Sequence, residues 1–251
     1  MAVVLITAIS VGGATVLGAL IGFLFNNIPH RFNDAILGFA SGIMLAAAVV
    51  GLILPSIEYG GKYGVIIASI GIIIGAFFIN IMDHFTPHIH KMTGVDAEKH
   101  KDNERFNKVI LFVMAIAIHN FPEGIATGVS FGTGNISDAI SVATGIALQN
   151  IPEGIVIIAP LLSVGVSKGK TFGIAAFTGL IEFVGIMFGY FAVTIATPIL
   201  PFALAFAGGT MLYVISDEMI PETHSHGFER EATYSLIFGF VTMLLMDYYI
   251  G

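Results

Sequence analysis

The chain has 251 residues, of which 56% are apolar or aromatic, only 11% are Asp, Glu, Lys or Arg, and none is Cys; the net charge is −7 and the mean hydropathy +0.91. An ordinary soluble domain carries about 25% charged residues, so this composition excludes a soluble enzyme, a disordered regulator and a nucleic-acid binder. The absence of Cys also excludes disulfides and thiolate metal sites.

Crossing a bilayer takes about 20 consecutive apolar residues. Stretches of that kind predict eight transmembrane helices, near 2–25, 35–55, 63–82, 108–131, 138–162, 170–194, 199–220 and 232–250. Barrel strands would alternate in polarity, whereas Ile stands at 66, 67, 70, 72, 73 and 74 between Val65 and Phe78. The first stretch has no basic n-region and is longer than a signal-peptide core, so it is expected to stay as a membrane helix. Arg31, Lys91, Lys99, Lys101, Arg105, Lys108, Lys168, Lys170 and Arg230 fall after the odd-numbered helices, and only Lys62 falls on the other side. By the positive-inside rule those loops are cytoplasmic and both termini extracytoplasmic. The expectation is one all-α membrane domain over 1–251, multi-pass in a bacterial-type inner (plasma) membrane. A polar cytoplasmic loop, 83–108, carries His84, His88, His90 and His100 between helices three and four.

Ionisable groups inside the membrane are costly and call for a function. Helix four carries His119-Asn120-Phe121-Pro122-Glu123-Gly124-Ile125, and helix five carries Gln149-Asn150-Ile151-Pro152-Glu153-Gly154-Ile155. The two motifs share five of seven positions at a spacing of thirty. Consecutive helices run in opposite directions, so the copies form an inverted repeat meeting near the bilayer midplane, as in transporters. Helix six adds Glu182 at similar depth. His119, Asn120 and Glu123 share one helical face, as do Gln149, Asn150 and Glu153. Pro122 and Pro152 free the carbonyls of Ile118 and Leu148 one turn earlier.

Up to three carboxylates gathered in low dielectric repel one another and would take up protons, as hydrogen-bonded packing groups, unless a cation joined them. No intramembrane Lys or Arg supplies one. Carboxylate, amide and imidazole ligands suit borderline divalent ions such as Zn²⁺, Fe²⁺ or Mn²⁺, while Cu⁺ prefers sulfur.

The HNFPEGIA stretch, the second N-x-P-E-G, Glu182 and Asp217-Glu218-x-x-Pro221 near the end of helix seven resemble the ZIP (Zrt/Irt-like) divalent metal transporters of prokaryotic type. The resemblance covers the whole chain. It implies import of a divalent metal, Zn²⁺ first and Fe²⁺, Mn²⁺ or Cd²⁺ next, as bound substrate rather than catalytic cofactor. It further implies a homodimer in the lipid bilayer. It carries His119, Asn120, Glu123, Gln149, Asn150, Glu153 and Glu182 to ligand positions, and implies that a bundle including helices one, four, five and six slides against the rest. Two features depart from the family: the amides Gln149 and Asn150 stand where relatives often have His and Asp, and Phe183 follows Glu182 where Pro is common. Neither amide brings a negative charge, so a bridging carboxylate is missing from the second of the family's paired metal sites.

Other charges lie at helix ends. Asp83, His84, His88, His90, Asp217 and Glu218 on the cytoplasmic side are candidates for metal exit, with ordinary interfacial solvation as the alternative. Glu58, Asp138 and Asp247 are candidates for gathering cations at the outer face. His224 and His226 join the cytoplasmic histidines as residues for sensing or release, or as parts of a solvated loop. Two other functions use the same residues: an intramembrane metallohydrolase, which lacks an H-E-x-x-H motif, and an ion-coupled carrier of an organic solute, which leaves His119 without a role. Transport rather than enzymatic chemistry is the expectation.

Overall fold

The computed structural model describes residues 1–25, 29–92 and 104–251; within them, the side chains of 83–92, 104–108, 111 and 112 are outside the description. Among these residues there is helix and no strand. Such sequences form helices because each satisfies its backbone polar groups within the segment. We number the long helices α1 (Ala2–Gly22), α2 (His30–Tyr59), α3 (Gly64–Met92), α4 (Glu104–Ser130), α5 (Ile136–Ser163), α6 (Lys168–Ile195), α7 (Thr197–Thr223) and α8 (Glu229–Ile250). Seven of them, all but α4, are long and apolar enough to cross a membrane among the described residues. This is an integral, multi-pass membrane protein.

The expected loop 83–108 is shorter than its polarity suggests. α3 continues ten residues past 82 to Met92, and α4 begins at Glu104. Polar residues end an apolar run without ending a helix, because helix propensity differs little between them and their apolar neighbours. The side chains of Asp83, His84, His88 and His90 fall outside the described residues, as does His100 entirely.

Two helices change winding where a proline follows. α2 passes through a π-helical stretch, Ala47–Ile53, just before Pro55, and α7 through another, Ile215–Met219, just before Pro221. A proline ring clashes with the carbonyl four residues back and offers it no donor, and a wider turn absorbs that misfit. Between α4 and α5, Gly134 takes a left-handed turn at φ +80°, and the Asn135 side chain accepts a hydrogen bond from Ser137 N at 3.1 Å. This short turn joins the two motif-bearing helices.

The helices pack in two groups. α1, α4, α5 and α6 form one, with α1 against α5 and α6 and α4 against α6; α2 pairs with α8 and α3 with α7 in the other. Within each group most of the close glycine approaches set backbone on backbone, although Gly22 meets the Ile158 side chain and Gly208 that of Ile53. A Cβ at Gly12 of α1 would strike the Gly179 carbonyl of α6, and one at Gly124 of α4 would strike the Glu182 carbonyl. In the second group, a Cβ at Gly42 would meet the Leu236 carbonyl and one at Gly209 the Ile72 carbonyl. Across the groups the contacts differ in kind: Gly51 faces the Val142 side chain and Gly145 the Met243 side chain. Small residues let membrane helices lock closely, and the locks lie inside the groups.

Candidate metal site

All seven residues of the repeated motif and α6 are buried: His119, Asn120 and Glu123 on α4, Gln149, Asn150 and Glu153 on α5, and Glu182 on α6. Both prolines are carried inside continuous α-helix. The carboxylates of Glu123, Glu153 and Glu182 stand within electrostatic reach of one another, and Glu153 within reach of His119. Asn120 Oδ1, Glu123 Oε2, Gln149 Oε1 and Asn150 Oδ1 are sealed from solvent and accept no hydrogen bond from the protein. Gln149 lies beside the Glu123 carboxyl, yet its amide closes no bond of good geometry. The Asn120 Nδ2 and Gln149 Nε2 groups beside them are also buried without an acceptor, so the patch holds amide and carboxylate groups that the protein itself leaves unpaired.

Two ligand candidates are engaged by protein partners. The Asn150 Nδ2 amide donates to both oxygens of Glu182, at 2.8 and 2.6 Å, and approaches the Val11 carbonyl of α1 at 3.2 Å. His119 Nε2 lies 2.7 Å from Glu218 Oε1. With Glu182 and His119 held in this way, no three His, Asp or Glu side chains among the described residues converge on one coordination point in this conformation.

A cavity of about 560 Å³ opens beside the motif. His119, Glu123 and Glu153 line its inner part, and Asp217, Glu218, Glu222 and Ser225 line the part toward the end of α7. It therefore joins the motif to the residues expected at the exit. The π-helical stretch carries Asp217 and Glu218. Glu222 was not singled out from the sequence; its signal is the four-residue spacing from Glu218, which puts both on one face.

The other candidates separate. Asp138 and Asp247 lie within electrostatic reach of each other, and Ser141 Oγ donates to Asp247 Oδ1 at 3.3 Å. Glu58 is exposed at the end of α2, and no hydrogen bond or ion pair among the described residues joins it to them. His224 uses both ring nitrogens to close its own turn, on the Ile220 carbonyl at 2.8 Å and Thr233 Oγ1 at 3.1 Å. His226 instead pairs with a buried Asp34 on α2, at 3.0 Å.

Comparison with known proteins adds to this geometry. A family profile described as "ZIP Zinc transporter" matches residues 90–247. The zinc transporter GufA of Myxococcus xanthus is 37% identical over 98% of this chain and 98% of its own. The zinc transporter ZIPB of Bordetella bronchiseptica is 37% identical over 95% of this chain and 78% of its own. The zinc transporter ZupT of Chlorobaculum parvum is 34% identical, covering 92% and 91% of the two chains.

Proposed function

The chain belongs to the ZIP family of zinc transporters, and from that membership we propose that it imports a divalent transition-metal ion across the plasma membrane into the cytoplasm. Zn²⁺ is the foremost substrate, with Fe²⁺, Mn²⁺ and Cd²⁺ in the same ligand class. All eight long helices span the membrane, α4 included, with both termini outside and the chain paired as a homodimer. In the ion-loaded state Glu123, Glu153 and His119 hold the metal, with Asn120, Gln149, Asn150 and Glu182 as further oxygen ligands or supports. The ion is bound substrate, and the protein supplies differential binding and alternating access rather than bond chemistry.

The observation that carries this reading is the cavity. Five of its described lining residues, Glu123, Glu153, Asp217, Glu218 and Glu222, are acidic, and among the described residues none that lines it is Lys or Arg. An acid-lined path without a fixed counter-charge favours a mobile cation. It runs toward the end of α7, the side that the distribution of Lys and Arg assigns to the cytoplasm, so the conformation reads as inward-facing. Alternation is supported by the two helix groups, locked internally by glycine contacts and meeting each other through side chains.

The test is zinc uptake into proteoliposomes. The wild type is expected to accumulate zinc down its gradient, and a Glu123→Ala/Glu153→Ala variant, folded by the same chromatographic profile, is expected to show only leak. Equal uptake by both removes the motif from the pathway.

A further inference from the structure

One buried carboxylate lies outside the central motif without a role in the reading above. Asp34 stands one turn before the cavity-lining Leu37 on α2 and is fully buried. Its Oδ1 meets His226 Nδ1 at 3.0 Å, while Oδ2 is sealed from solvent with no donor. His30, four residues earlier and on the same helical face, stacks its ring on His226 with centroids 4.3 Å apart and planes at 21°. Arg31, in the same first turn, pairs instead with Glu231 at 3.2 Å. Among the described residues His226 is therefore the one ion-pair partner of Asp34. The neighbouring Ser225 forms part of the cavity wall, so the cluster sits beside the cavity mouth.

We propose that Asp34, His226 and His30 form a second divalent-cation site at the mouth of the cavity, taking an ion of the zinc class. The assignment rests on the transporter reading only for the identity of the ion. One carboxylate and two imidazoles, completed by water, make a normal tetrahedral set for such an ion. A tie between α2 and the 224–228 turn would need only Oδ1. The second oxygen, buried without a donor, is costly unless a positive partner joins it. The three groups do not converge as they stand; the ion inserts between Asp34 and His226 and draws His30 off its stack. That coupling of ion occupancy to the 224–228 turn gives the cytoplasmic mouth a way to respond to the metal it releases.

The experiment counts bound Cd²⁺ by equilibrium dialysis on the full-length protein in detergent micelles. His226→Ala and Asp34→Asn should each lose one equivalent relative to wild type, and the same loss should appear in a Glu123→Gln/Glu153→Gln background. His226→Cys should restore the equivalent and add a thiolate-to-cadmium absorption band, which the parent chain, having no Cys, cannot produce. The restored count with its band also shows that the loss was not misfolding. An unchanged count in His226→Ala and Asp34→Asn overturns the assignment, and so does a His226→Cys protein that is folded but shows neither band nor regained ion. A failure of the central reading looks different: Glu123→Gln/Glu153→Gln would then leave the count at the wild-type value, while the loss at the mouth still supports this site.

Discussion

His119 Nε2 lies 2.7 Å from Glu218 Oε1, which joins α4 of one helix group to α7 of the other across the acidic cavity. The same imidazole nitrogen cannot serve Glu218 and a metal ion at once. Pairing and ligation therefore compete, and the pair is a fastening that an arriving ion has to undo. Glu218→Gln replaces a charged acceptor by a neutral one and should tighten zinc binding at the central site by about fivefold, equivalent to ~1 kcal/mol. Isothermal titration in detergent checks it; unchanged or weaker binding would mean that the His119–Glu218 pair does not compete with the ion.

Asn150 donates to both oxygens of Glu182, so in this conformation an amide, and not a cation, satisfies that carboxylate. Asn150→Asp removes both donors and adds a negative charge beside Glu182. The variant is expected to bind one more equivalent of Cd²⁺ than the wild type by equilibrium dialysis. An identical count would show that the amide is not what limits the site to one ion.

Gly124 is set against the Glu182 carbonyl backbone, with no flexible side chain to yield. Gly124→Ala should lower stability by about 1–3 kcal/mol through overpacking, seen as a lower Tm in detergent. Gly145→Ala meets the end of the Met243 side chain, which can move, and should cost less than Gly124→Ala. A reversed order would contradict the distinction between locked and sliding interfaces.

That distinction has a functional counterpart. A Cβ at Gly51 of α2 would lie 3.9 Å from the Val142 Cβ of α5, within the range a disulfide spans. A Gly51→Cys/Val142→Cys pair, oxidised, should bind the two groups together and abolish zinc uptake, and reduction should restore it. The absence of native Cys keeps the experiment clean. Continued uptake by the fully cross-linked protein would mean that the groups do not move at this contact.

Much of this architecture was legible in the sequence, for reasons that can be named. Long apolar runs identify helices because an unpaired backbone is not tolerated in lipid, and the repeated N-x-P-E-G pair stands out because intramembrane carboxylates are expensive. The extension of α3 to Met92 was hidden, since loss of hydrophobicity marks the edge of a bilayer and not the end of a helix. The wider turns ahead of Pro55 and Pro221, one of which carries the cavity-lining Asp217 and Glu218, were not read from the sequence, because a proline marks a missing donor and not the winding that absorbs it. The contacts of His119 with Glu218 and of Asp34 with His226 join residues far apart in the chain, which no local period encodes. Asp34 in particular reads as an ordinary charge ahead of an apolar stretch; only its burial sets it apart.

The central claim is that carboxylates from α4 and α5, with His119 beside them, hold one divalent ion inside the membrane. Anomalous scattering from a zinc-soaked crystal tests it most directly, because it yields element, position and neighbours together. The account predicts a zinc peak bounded by Glu123, Glu153 and His119, with His119 turned away from Glu218. A well-diffracting soaked crystal with no peak between those side chains, in a protein that still carries zinc across a bilayer, would contradict it.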